Sequence, residues 1–260
     1  MDLKLKGKMA LITGASKGIG LAVAHVLAEE GCDLDLAARN VELLSQVASD
    51  LERLYGVKVR TYSADLGNTD DQGMLSSVCA NVDIVVNNAG SNPPGEIDEI
   101  AEDIWRASWD LKVFGYINMT RAFYSQMKAR GAGVILNVIG NSGERMAAKY
   151  ILGSTGNIAL MGLTRALGAR SPDHGVRVLG VNPGLTNTER AERMLKGWSA
   201  NAHGSTDRWQ EYLAELDLPF GRMGEAREVA DLVAFLVSPR ASYISGTIVT
   251  IDGGAVNRNS

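Results

Sequence analysis

The chain has 260 residues, 45% of them hydrophobic and 22% charged, with a formal net charge of −4. That length buries a substantial core, and the slightly acidic balance gives no electrostatic footprint for nucleic acid. Cys32 and Cys79 are the only cysteines and lack metal-ligand spacing, no apolar stretch is long enough to cross a bilayer, and Met1-Asp2-Leu3-Lys4 starts no signal-like run; we therefore expect no metal, no membrane span and a cytoplasmic location.

The first apolar run, 9–13, reads as a strand, and Thr13-Gly14-Ala15-Ser16-Lys17-Gly18-Ile19-Gly20 follows it and opens an amphipathic stretch over 19–30. Glycines at such a turn allow close backbone approach to a pyrophosphate, which gains from the free N–H groups and positive dipole of the helix. A second strand, 34–38, ends in Ala37-Ala38-Arg39-Asn40 ahead of a helix over 41–55. Dinucleotide folds that prefer NAD place an acidic residue near the end of this strand for the ribose 2′-hydroxyl. Arg39 stands there instead, and with Lys17 approaching from the turn it suits a 2′-phosphate, so NADP(H) is expected in preference to NAD(H). Asp35, inside the strand, is the residue that opposes this reading.

Further strands follow at 57–63, 84–86, 134–139, 176–181 and 247–251, with helices over 104–129, 158–169 and 226–236. The alternation predicts an α/β fold, a single doubly wound (Rossmann) domain over 1–260 with seven parallel strands and helices on both faces. Its one long interruption, 185–224, follows a strand's carboxyl end, where a substrate lid is expected. Trp198, Trp209 and Tyr212 within it suggest an apolar or aromatic small-molecule substrate, or simply the packing of the lid itself. His25, His174 and His203 form no ligand pair or triad.

The Gly14 to Gly20 turn, Ala64-Asp65-Leu66, Asn87-Asn88-Ala89-Gly90, Asn182-Pro183-Gly184, and Ser245-Gly246 with Asp252-Gly253-Gly254 occur in this order. Together they closely resemble the classical short-chain dehydrogenase/reductase family across essentially the whole chain. The resemblance implies that Asp65 and Leu66 border the adenine, that Asn88, Ala89 and Gly90 line the cofactor, and that Pro183, Gly184, Thr186 and Thr188 hold the nicotinamide amide. It also implies a homotetramer or homodimer built through the long central helices and the C-terminal strand region.

Family members carry a Tyr-x-x-x-Lys pair on a helix, an upstream Ser, and an Asn on the preceding long helix. A phenol, with an ordinary pKa of about 10, is a poor acid-base catalyst near pH 7 until a cation stabilises its phenolate. Matched onto this chain, the Asn position falls on Lys112, Ser on Gly140, Tyr on Gly153 and Lys on Asn157. Lys112 and Asn157 thus exchange the family's residue types, which would set an ammonium and an amide facing one another between the same two helices, and Tyr150, three residues before Gly153, shares roughly its helix face if the helix begins early enough. The resulting expectation is an atypical oxidoreductase acting on a carbonyl/alcohol pair. Tyr150 is its relocated proton donor, Lys112 its support, and Ser142 or Asn141 polarises the carbonyl; Glu144 and Lys149 are secondary candidates. The alternatives are that Tyr150 only packs at the helix entrance while Lys112 is solvated, that the protein is a catalytically silent cofactor-binding subunit or sensor, or that it is a lyase or isomerase on the same fold.

Overall fold

Short aliphatic runs become strands covered on both faces, as a parallel sheet requires. The computed structural model describes residues 1–258. Its main sheet contains β1 (Met9–Thr13), β2 (Asp33–Ala38), β3 (Val59–Ser63), β4 (Ile84–Asn87), β5 (Gly133–Val138), β6 (Val176–Pro183) and β9 (Ile248–Ile251). Seven strands lie in the order β3-β2-β1-β4-β5-β6-β9, all neighbours parallel. The order reverses between β1 and β4, which opens a crevice at their carboxyl ends.

Alternate strand residues serve two cores. Ala10, Ile12, Ile84 and Val86 pack with helices α1 (Gly18–Glu29), α2 (Val41–Tyr55) and α9 (Ala226–Val237). Leu11, Val85, Ile135 and Val178 face the opposite layer, where Leu75 of α3 (Thr69–Val78) and Met119, Phe123 and Met127 of α5 (Gly115–Arg130) meet them. Caps fix the helix ends: the Asn40 side chain accepts from Leu43 N at 2.8 Å, and Gly56 closes α2 in the left-handed region.

Three expectations change. The helix expected over 104–129 is two helices, α4 (Glu102–Trp109) and α5, joined by a π-helical turn at Asp110–Phe114 that carries Lys112. The helix expected from 158 begins earlier, as α6 (Ile151–Gly168), with Tyr150 as its N-cap. The segment 185–224 is largely helical: β7 (Thr186–Asn187) and β8 (Gly224–Glu225) pair to clamp its ends, and α7 (Glu189–His203) and α8 (Trp209–Glu215) fill it. No helix among the described residues is long and apolar enough to cross a membrane.

Candidate functional site

Strand ends and helix starts converge on a cleft of about 480 Å³ at the β1/β4 reversal. It is lined by Gly14, Ser16, Lys17, Gly18, Ile19, Arg39, Asp65, Leu66, Asn88, Ala89, Gly90 and Thr188, which gathers most of the residues expected to hold a cofactor. The remaining four lie elsewhere. Gly20 is buried under the loop, Pro183 is buried at the end of β6, and Gly184 and Thr186 line a separate cavity of about 240 Å³ with Pro219, Phe220 and Asp252.

The glycine turn is built for close approach. Gly14 and Gly18 have φ of +65° and +56°, and a Cβ at Gly14 would lie 3.0 Å from both the Ala89 Cα and the Asn88 side-chain nitrogen. Asn88 ties the turn to β4 by donating from its side chain to Thr13 O at 2.9 Å, while the Thr13 hydroxyl oxygen accepts from the Asn88 and Ala89 N–H groups. No side chain caps α1, and its first turn holds no acidic residue. Its leading N–H groups thus suit an anionic pyrophosphate.

In the middle of β2, Asp35 is fully buried and held bidentately by Arg60, at 2.6 and 2.7 Å. It faces the α3 layer and does not compete for a ribose. Arg39 has no ion-pair partner among the described residues. Lys17 instead pairs with Glu189 of α7 at 2.6 Å, a partner absent from the sequence reading. Its hydrogen bond holds the Glu189 carboxyl below the usual carboxylate range.

Around α6 the expected residues come together differently from the expectation. A Cβ at Gly153 would strike the Tyr150 ring, whose Cδ1 lies 2.7 Å from that point, so the ring fills the space a side chain at 153 would take. The Tyr150 hydroxyl accepts from Arg190 Nη2 at 2.9 Å, and Arg190 Nη1 donates to Gly90 O at 3.3 Å. Lys112 does not support Tyr150, nor is it solvated. It is buried, and its Nζ donates to the Tyr116 hydroxyl and to Val138 O, both at 2.8 Å. Burial, reinforced by the Arg190 charge, pulls its ammonium well below the ordinary lysine value; burial also pushes the Tyr116 phenol upward.

Asn157 does not face Lys112 either. Its side-chain nitrogen donates to Ser142 Oγ at 2.8 Å and Gly140 O at 3.3 Å, and its buried Oδ1 has no hydrogen-bond partner among the described residues. That orphaned acceptor suits a donor brought by a ligand, such as a ribose hydroxyl. Gly140 has φ +132°, and a Cβ there would lie 2.9 Å from the Asn157 side-chain nitrogen, so glycine at 140 and asparagine at 157 are mutually fitted. Asn141 donates to Asp252 at 3.2 Å, and Glu144 accepts from Asn182 and from the Thr250 hydroxyl, at 2.5 and 2.6 Å.

Within 185–224, three rings pack on one another while Phe220 is exposed. Trp198 and His203 pack on Tyr212, with ring centroids 6.3 and 5.9 Å apart, joining α7 to α8. They give no support for an aromatic substrate. Glu189 and Arg190 were missed because only the fold brings the first turn of α7 over the cleft; their adjacency to the Thr188 N-cap was the available signal.

A sequence profile described as short chain dehydrogenase matches residues 8–197. Galactitol 2-dehydrogenase (L-tagatose-forming) of Cereibacter sphaeroides is 34% identical, with 96% of each chain covered. The L-sorbose reductase of Gluconobacter frateurii, solved with NADPH and L-sorbose, superposes with a TM-score of 0.91 at 30% identity over 100% of both chains. An NAD+-bound xylitol dehydrogenase gives 0.88 at 26% identity, covering 96% of this chain and 100% of its own. By the extent of the profile match, this chain belongs to the short chain dehydrogenase family.

Proposed function

We propose that the protein is an NADP(H)-dependent oxidoreductase that interconverts a carbonyl and an alcohol through a rebuilt site with Tyr150 as proton donor. The observation that carries this reading is the Tyr150 ring in the space belonging to residue 153, the position onto which the resemblance maps the family's tyrosine. When bound, the nicotinamide supplies a hydride to the carbonyl carbon. Tyr150 gives its proton to the carbonyl oxygen, so the alcohol forms with both electrons from the cofactor. Ser142 Oγ, already accepting from Asn157, keeps its O–H free to donate to the same oxygen. Asn157 Oδ1 would hold a ribose hydroxyl and the leading N–H groups of α1 the pyrophosphate of a bound cofactor.

Arg39 and the neutralised Asp35 support NADP(H) over NAD(H). The segment 185–224 is the substrate lid, its α7 resting on the glycine turn through Lys17 and Glu189. A polyhydroxylated carbonyl compound is the substrate class we favour, on the Ser142 hydroxyl left free to donate and on the sugar and polyol relatives. The test is NADPH oxidation with a panel of ketoses. Tyr150→Phe is expected to lower kcat on the order of 10²–10⁴-fold while NADPH binding, followed by its fluorescence, is retained. A near-parental rate would remove Tyr150 from the mechanism.

A further inference from the structure

A phenol that gives up its proton near neutral pH needs a cation close by, and Asn157 supplies none. Lys112 is turned to Tyr116 and Val138 O and is buried without a carboxylate partner. Arg190 is different: its guanidinium reaches the Tyr150 hydroxyl at 2.9 Å, and a second bond to Gly90 O fixes its orientation at the edge of the cofactor cleft. The backbone behind it is anchored twice. The Thr188 hydroxyl oxygen caps α7 by accepting from Ala191 N at 3.2 Å, and the adjoining Glu189 holds Lys17.

Resting on the reading of Tyr150 as proton donor, we infer that Arg190 is the cation that orients Tyr150 and stabilises its phenolate. The role the family gives to a lysine on the same helix is thereby transferred to the first turn of α7. In carbonyl reduction the Tyr150 O–H bond breaks, its proton joins the substrate oxygen, and the negative charge left on Oη faces the fixed guanidinium until solvent returns a proton. A guanidinium stays charged throughout, whereas burial and the Arg190 charge disfavour the charged form of Lys112. The proton donor is therefore complete only while α7 is seated on the cleft.

The experiment compares Arg190→Met, Arg190→Lys, Tyr150→Phe and the Tyr150→Phe/Arg190→Met double variant, all as full chains with NADPH and the best ketose found. Arg190→Met is expected to lose on the order of 10²-fold in kcat with KM and NADPH affinity nearly unchanged, Arg190→Lys to recover part of it, and the double variant to be no slower than Tyr150→Phe. Thermal midpoints of the unliganded variants report folding separately. If Tyr150→Phe is inactive while Arg190→Met keeps its kcat, the assignment of Arg190 fails and Tyr150 stands. If Tyr150→Phe remains active, the donor itself is wrong. A rise in KM or loss of NADPH binding at constant kcat would instead make Arg190 a ligand-binding group and overturn the inference.

Discussion

An ammonium taken out of water loses several kcal/mol of hydration unless it is paired or sheds its proton. Lys112 Nζ meets a phenol and a carbonyl, and the charge acting on it, Arg190, is of the same sign. Its folded-state value is thus depressed below the unfolded one, so in the window between them the unfolded chain binds a proton that the native protein does not. Stability then rises with pH across that window, by roughly 1.4 kcal/mol per unit, until the unfolded value near 10.4 is reached. Tyr116 works in the opposite sense, its phenol being raised by burial, but only above its ordinary value of about 10. Denaturant titrations of parent and Lys112→Met between neutral pH and about 10 should therefore diverge, the parent gaining relative to the variant as pH rises. Parallel curves would mean that Lys112 keeps its charge in the fold.

At the scale of elements, the first turn of α6 is where helix propensity and the proposed role of Tyr150 oppose each other. Alanine is favoured over glycine by about 0.8–1.0 kcal/mol within a helix. At position 153, however, a Cβ would drive the Tyr150 ring from its place. Gly153→Ala is expected to leave the thermal midpoint close to that of the parent and yet reduce kcat at least 10-fold, with NADPH binding preserved. Unchanged turnover would show that the position of the ring is immaterial. The same turn illustrates what sequence conveys. Buried parallel strands announce themselves as apolar runs, and a glycine turn between strand and helix is local, so β1, β2, β4, β5, β6 and the turn at Gly14 to Gly20 were legible. The start of α6 was hidden by Gly153 and Gly156, and α3 by its polar composition, despite the Asn68 cap. The π-helical turn contains no glycine or proline to mark a break, which made α4 and α5 read as one helix. Arg190 meets Tyr150 across 40 residues and Glu189 meets Lys17 across 172, separations at which pairing depends on the fold alone.

Across the whole molecule, the cleft joins the carboxyl ends of β1, β2 and β4 to the first turn of α7, so a nucleotide seated there ties the sheet to the 185–224 segment. A ligand that binds only the native state at about 100 times its dissociation constant adds roughly 2.7 kcal/mol, which for a chain of this size raises the midpoint on the order of 5–10 °C. The two cofactors differ by one phosphate, and Arg39 stands free to meet it. Lys17 is engaged by Glu189, but both partners are more than half exposed, and such pairs contribute only about 0–1 kcal/mol, so a 2′-phosphate can draw Lys17 away at small cost. A charge-assisted bond to that phosphate contributes about 1.5–3 kcal/mol. NADPH is therefore expected to stabilise the parent more than NADH does at equal concentration, and Arg39→Gln to weaken NADPH about 10–100-fold while leaving NADH unaffected, as read by midpoint shifts across a concentration series. Equal shifts from the two cofactors in the parent, or equal losses in the variant, would remove Arg39 from cofactor choice.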